Sequence, residues 1–192
     1  MGFEVNNGIE LWRPALFDPR QVLIPGTYYG MNGTAADPPG ADTLLAQYFP
    51  LYRSATFDRI GCDVQTAGAA GAKARLGIYR DSDLDGYPDE LILDAGEVDC
   101  TTDGDKTITI DQHLEEGLYF IAINTNDATI KLWYEKVPLT PNCLGITTDI
   151  GYQTWLYKKT GVTYAALAST FPSGATPTND SWGLAMRVGS VD

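Results

Sequence analysis

Between positions 81 and 90 the chain reads Asp-Ser-Asp-Leu-Asp-Gly-Tyr-Pro-Asp-Glu, five acidic side chains in ten residues with a glycine and a proline among them. Such a stretch does not extend a strand or a helix. Glycine and proline punctuate the backbone, and carboxylates at this spacing repel one another. The flanks are of another kind. Ala74, Leu76 and Ile78 alternate with Lys73, Arg75 and Tyr79 before it, and Leu91, Ile92 and Leu93 follow it. A period of two marks a β-strand. The segment is therefore predicted to be a loop between two β-strands.

The same residues make a candidate cation site. Alternate carboxylates on a tight loop converge on a hard cation, and Ca²⁺ favours such oxygen ligands. Asp81, Asp83 and Asp85 take the first three ligand places of an EF-hand-like loop, and Gly86 takes the place of its sharp turn. Tyr87 offers its carbonyl and Asp89 a carboxylate, directly or through water. Ile92 stands where the closing bidentate glutamate belongs, and strand-like flanks are not those of an EF-hand. Ca²⁺, held by Asp81, Asp83, Asp85, Tyr87 and Asp89, is the expected cofactor. The plain alternative is a solvated acidic loop without metal.

Strand patterns recur through the rest of the chain, at 45–51, 55–64, 73–80, 90–94, 107–111, 117–124, 129–135, 153–158 and 183–188. Turn-rich stretches separate them at 66–71, 103–105 and 124–127. No segment sustains an apolar 3.6-residue period. Many short strands at this spacing predict an all-β fold, an antiparallel β-sandwich of jelly-roll type. A hydrophobic share of 44% is enough to fill its core. The strand 120–123 is apolar at every position, so it is central, or its second face is covered by a partner or by the N-terminal segment.

Residues 1–42 differ from the remainder. Pro14, Pro19, Pro25, Pro38 and Pro39 are interleaved with Gly26, Gly30, Gly33 and Gly40, and apolar residues come only in short clusters. This segment reads as an extended arm that packs on its own domain or on a neighbouring subunit, with the sandwich occupying 43–192. An arm without a core of its own also predicts a homo-oligomer, a homo-trimer by preference.

The net charge of −12 argues against nucleic acid and against anionic membranes as partners. The first residues lack the basic start and apolar run of a signal peptide, and no apolar stretch is long enough to span a bilayer. Cys62, Cys100 and Cys143 show no Cys-x-x-Cys pair, and His113 is the single histidine, so zinc is not expected. Cys62 falls on the apolar side of 60–64 and reads as a buried thiol. Whether Cys100 faces it across the sandwich is left open by the sequence.

His113 lies among Asp111, Glu115 and Glu116 in a polar turn, and no Gly-x-Ser-x-Gly elbow is present. The chain is not expected to be an enzyme. Glycan binding has more support, because sugar rings stack on aromatic faces while their hydroxyls seek amides and carboxylates. Gln153, Trp155 and Tyr157 share one face of a predicted strand beside Tyr152. Trp133 alternates with Leu132, and Trp182 lies next to Asp180 and Ser181.

Taken in order, Leu76-Gly-Ile-Tyr79, the acidic Gly-Tyr-Pro loop, Gly117-Leu-Tyr119 and Phe171-Pro-Ser-Gly-Ala-Thr-Pro177 form a pattern over most of the chain. It resembles a β-sandwich domain of tail-fibre and virion-surface proteins of tailed bacteriophages. The resemblance implies a virion location and a structural role on the particle surface. It further implies contact with host-surface glycans, while attachment to other virion proteins is expected through the arm, which is short beside the long shafts of many such fibres. The acidic residues Asp83, Asp85 and Asp89 depart from that pattern, so the calcium expectation rests on this sequence alone. A capsid decoration or head-spike protein with a purely structural role is the alternative.

Overall fold

The computed structural model describes residues 5–6, 9–10, 23–30, 35–136, 156–178 and 180–192. The first strands are short: β1 (Val5–Asn6), β2 (Ile9–Glu10), β3 (Tyr28–Gly30) and β4 (Ala35–Asp37). The long ones follow: β5 (Thr43–Leu51), β6 (Ala55–Thr66), β7 (Lys73–Arg80), β8 (Glu90–Asp99), β9 (Gly104–Leu114) and β10 (Gly117–Thr125). The chain closes with β11 (Lys131–Lys136), β12 (Leu156–Thr160), β13 (Thr176–Thr178), β14 (Asp180–Trp182) and β15 (Leu184–Val191).

These strands form the expected antiparallel β-sandwich. One sheet runs β13-β12-β5-β10-β7-β8. The other runs β14-β11-β6-β15-β3, with β9 also paired to β6 and β4 to β11. The cause is visible in the alternation of side chains. Leu76 and Ile78 of β7, Ile121 and Ile123 of β10, and Ile60 and Val64 of β6 all point into one inter-sheet core. Ile108 and Ile110 of β9 pack against that core, while Thr107, Thr109 and Asp111 between them are exposed. The outer face of the second sheet is thus polar and the inner one apolar, as an exposed antiparallel sheet requires.

The six-stranded sheet is apolar on both faces. Leu44, Ala46 and Tyr48 of β5, Tyr79 of β7, and Phe120 and Ala122 of β10 build a second cluster on its outer side. The cover comes from the chain itself. Tyr157 of β12, Leu167 and Phe171 join that cluster, with Val162 and Ala175 packed against it. Phe171 meets Tyr79 edge-on at 5.1 Å between ring centroids. The central position of the all-apolar strand and its covering by residues 162–175 account for its sequence without a partner subunit.

Part of the arm is built into the sandwich. β3 pairs with Ala185–Arg187 of β15, and β4 pairs with Leu132–Tyr134 of β11. Leu23 is buried in the inter-sheet core. Of the two settings foreseen for the arm, packing on its own domain describes 23–30 and 35–42. β1 and β2 pair with each other, and the rest of 1–22 lies outside the described residues.

Candidate functional site

The predicted loop joins β7 to β8, adjacent antiparallel strands of the six-stranded sheet. Its backbone turns through left-handed conformations at Leu84 (φ 63°) and Gly86 (φ 87°). The turn folds the loop around the Asp81 carboxylate. Asp81 is buried, and its two oxygens accept the amides of Asp85 (3.2 Å) and Gly86 (2.8 Å). Asp83 and Asp85 are exposed, and Asp85 accepts the Tyr87 amide at 2.7 Å.

One carboxylate oxygen from each of Asp81, Asp83 and Asp85 lies within 4.8 Å of the others. Oxygens on opposite sides of a Ca²⁺ ion are about 5 Å apart, so these three fit one coordination sphere. Burial raises the Asp81 carboxyl above its ordinary range against the pull of the amides from Gly86 and Leu84. A cation beside it would reverse that cost. Ca²⁺ takes six to eight oxygens, so three carboxylates leave several places for carbonyls and water.

Asp89 does not join the three. Its carboxylate accepts the Ser82 amide (3.0 Å) and the Ser82 hydroxyl and closes the base of the loop. Burial works against its charge, and the hydrogen bonds from Ser82 and Glu90 outweigh it, leaving its carboxyl below the usual range. Tyr87 has a structural task the sequence did not signal. Its hydroxyl donates to the Pro172 carbonyl (2.7 Å) and accepts the Ala175 amide (3.1 Å). Its ring lies 4.7 Å from Tyr157 and 5.8 Å from Phe171.

Three of the candidate glycan residues, Trp133, Tyr157 and Trp182, are among the described residues. Tyr157 and Trp182 are buried, in the outer cluster and the inter-sheet core respectively, so neither ring offers a face to a sugar. Trp182 read as a loop aromatic because polar residues precede it, yet its amide donates to Gln47 Oε1 (2.7 Å) on β5 of the opposite sheet. Trp133 is half-buried beside Gly183. Tyr152, Gln153 and Trp155 lie outside the described residues.

A shallow cavity of about 200 Å³ lies elsewhere, on β6, β9, β15 and β3. Gly61, Gly183 and Ala185 line it, and Tyr28, Asp63, Asp105 and Thr107 bring a ring, two carboxylates and a hydroxyl. Tyr28 is 46% exposed. The alternation along β6 places Asp63 outward, but nothing in the sequence pairs it with Tyr28, which β15 brings near.

His113 sits on β9 with Nδ1 3.3 Å from Thr56 Oγ1 and Nε2 3.2 Å from Glu115. Hydroxyl, imidazole and carboxylate are thus in line, but all three are solvent-facing and none lines the cavity. Activated nucleophiles work in sites that exclude water and hold donors for developing charge.

The geometry defines a class: an antiparallel β-sandwich with a covered sheet, an open polar sheet and a cation-competent loop at one hairpin. No protein-family model matches the chain, and no curated protein matches it.

Proposed function

We propose that this chain is a non-enzymatic surface protein of a phage particle, whose sandwich faces the host and whose acidic loop is stiffened by Ca²⁺. The supporting observation is that two motifs of the resemblance, far apart in sequence, pack together. Tyr87 of the Gly-Tyr-Pro loop is bonded to Pro172 and Ala175 of the Phe-Pro-Ser-Gly-Ala segment. Phe171 of that segment packs on Tyr79 of the Leu-Gly-Ile-Tyr strand. A shared order of motifs is stronger ground for a resemblance when the motifs form one structural unit.

On this reading the host-facing surface is the outer face around Tyr28, Asp63, Asp105 and Thr107, which has the ring and acceptors a sugar needs. The purified chain is tested for adsorption to bacterial cells and on a glycan array, with Tyr28→Ala alongside. Saturable binding that falls about tenfold or more in Tyr28→Ala supports it, the loss of one ring contact costing about 1.4 kcal/mol or more. A chain that binds particles but no cell or glycan is the purely structural decoration or head-spike protein. A homo-trimer remains part of the proposal and is read by light scattering.

A further inference from the structure

Asp63 and Asp105 are direct cross-strand partners in the pairing of β6 with β9. Residues so placed share one face of the sheet with Cβ atoms about 5 Å apart, and like charges there repel. Asp63 Oδ1 accepts Gln65 Nε2 (2.8 Å), a neutral donor. Lys106, next to Asp105 in sequence, turns its ammonium to Thr102 Oγ1 (2.6 Å) and the Asp103 carbonyl (3.3 Å). Arg187 is forked onto the Asp58 carboxylate, and Arg59 donates to the Asp58 carbonyl (2.7 Å). Among the described residues no basic side chain forms an ion pair with Asp63 or Asp105.

The pair forms one wall of the shallow cavity. The floor is a row of short residues in register across four strands, Thr107, Gly61, Ala185 and Gly30. Gly61 is required there, since a Cβ would meet the Lys106 carbonyl oxygen at 2.6 Å. Tyr28 lies two residues before Gly30, on the same face of β3, and stands across this row from the carboxylates. Two carboxylates, a hydroxyl and an aromatic ring thus border one space of about 200 Å³, room for a single sugar unit.

We propose that this cavity takes the protonated amine of an amino sugar, with the ammonium between Asp63 and Asp105 and the sugar ring on Tyr28. The inference rests on the host-glycan reading of this face and names the group such a glycan carries. A primary ammonium has three N–H donors, one for each carboxylate and one for the Thr107 hydroxyl. Its charge removes the repulsion within the pair. A bare metal ion suits the cavity less well. Ca²⁺ takes six to eight oxygens and gains nothing from an aromatic ring, whereas a ring face attracts an organic cation. The net charge of −12 works in the same direction, drawing cations to the surface. Acetylation of the amine removes the charge and two of its three donors, so an N-acetyl sugar loses most of these contacts.

Saturation-transfer NMR titrations of the full chain compare glucosamine, N-acetylglucosamine, glucose and cyclohexylamine at about pH 6, where an aliphatic amine is protonated. Glucosamine should bind at least about tenfold more tightly than the two neutral sugars, a difference of about 1.4 kcal/mol. Asp105→Asn should remove most of that preference. The Asp105 side chain is exposed, so the variant should melt no lower than the wild type. Equal affinity for the three sugars overturns the amine inference and leaves the host-glycan reading standing. A preference that survives in Asp105→Asn overturns it, because the amine then sits elsewhere. Glucosamine displaced by an equal concentration of Ca²⁺ in Asp83→Ala overturns it as well, because the pair is then a metal site. If glucosamine shows no binding the inference falls, and Tyr28-dependent adsorption to cells decides the host-glycan reading separately. Glucosamine and cyclohexylamine both held through Asp105, with no adsorption to cells, support the amine site and reject the host-glycan reading.

Discussion

The Gly86 amide donates to the buried Asp81 carboxylate across 2.8 Å, so the loop is organised around its most buried charge. Asp83 and Asp85 bring two more carboxylates to that centre with few partners of their own. The first prediction follows from this imbalance. Ca²⁺ at about tenfold above its dissociation constant should raise the melting temperature by about 4 °C. Asp83→Ala should remove most of that rise. Because Asp83 is exposed and makes only a long 3.3 Å contact to the Asp85 amide, the same variant should shift cation-free stability by no more than about 0.5 kcal/mol. Differential scanning calorimetry with and without Ca²⁺ reads both. A rise that survives in Asp83→Ala would place the ion elsewhere.

Acid should act on this protein with two opposite signs. Asp58 forms a forked pair with Arg187, at 2.8 and 2.7 Å, and that hydrogen-bonded guanidinium holds its carboxyl below the ordinary value of 3.8. A depressed carboxyl stabilises the fold above its unfolded pKa, and the contribution is lost as pH falls through the folded value. Asp81 is raised by burial, so its ionisation opposes folding and its contribution fades as pH rises through the folded value. Stability should therefore drop from about pH 4 downward in proportion to pairs such as Asp58–Arg187. Asp58→Asn should flatten that limb, whereas cation-free Asp81→Asn should flatten the limb above it. Urea midpoints taken across pH 2–7 separate the two; identical profiles for the two variants would refute the assignment.

Gly77 is a packing requirement. A Cβ there would meet the Leu93 carbonyl oxygen at 2.5 Å and the tip of Leu167 at 2.3 Å. Leu167 presents the flexible end of a side chain, but the Leu93 carbonyl belongs to the backbone of the neighbouring strand β8. Gly77→Ala should cost about 1–3 kcal/mol through overpacking and should loosen the 162–175 cover. Faster proteolysis within that cover, at unchanged strand content by circular dichroism, is the expected reading. Equal cleavage of wild type and variant would mean that the cover does not depend on this contact.

The long strands were legible because their alternation has one physical cause, a sheet with a core on one side. The 73–80 strand is found as predicted, and the segment at 55–64 extends only to Thr66. The strand beginning at Glu90 runs to Asp99, beyond the predicted 94. Gly96, at φ 101°, takes up a register shift against β7 there, so the strand continues past 94 through a bulge. The short strands β3, β4, β13 and β14 were not legible, since three residues carry no periodicity and their positions are set by longer neighbours. The same limit applies to function. Three of the five cation residues converge because spacing along one loop is a local property. Asp89 is drawn to Ser82 by contacts that spacing does not encode. Two members of the aromatic set, Trp182 and Tyr157, are buried among apolar spatial neighbours that lie far from them in sequence.

Tyr87 joins the loop to the cover, and removing one oxygen atom tests that joint. Its hydroxyl gives a hydrogen bond to the Pro172 carbonyl and takes one from the Ala175 amide. Tyr87→Phe keeps the ring, which packs on Tyr157 and Phe171, and leaves both backbone groups without their partner. The cost should be about 1–2 kcal/mol, near the value of a partly buried hydrogen bond whose partners are stranded. The effect should not stop at stability. With the cover detached from the loop, the segment after Asp85 gains freedom that a bound cation must then remove, so Ca²⁺ affinity should fall alongside. Urea unfolding with an unchanged slope reads the first effect and calorimetric titration with Ca²⁺ the second. A stability loss with full Ca²⁺ affinity would show that the loop holds its shape through Asp81 alone.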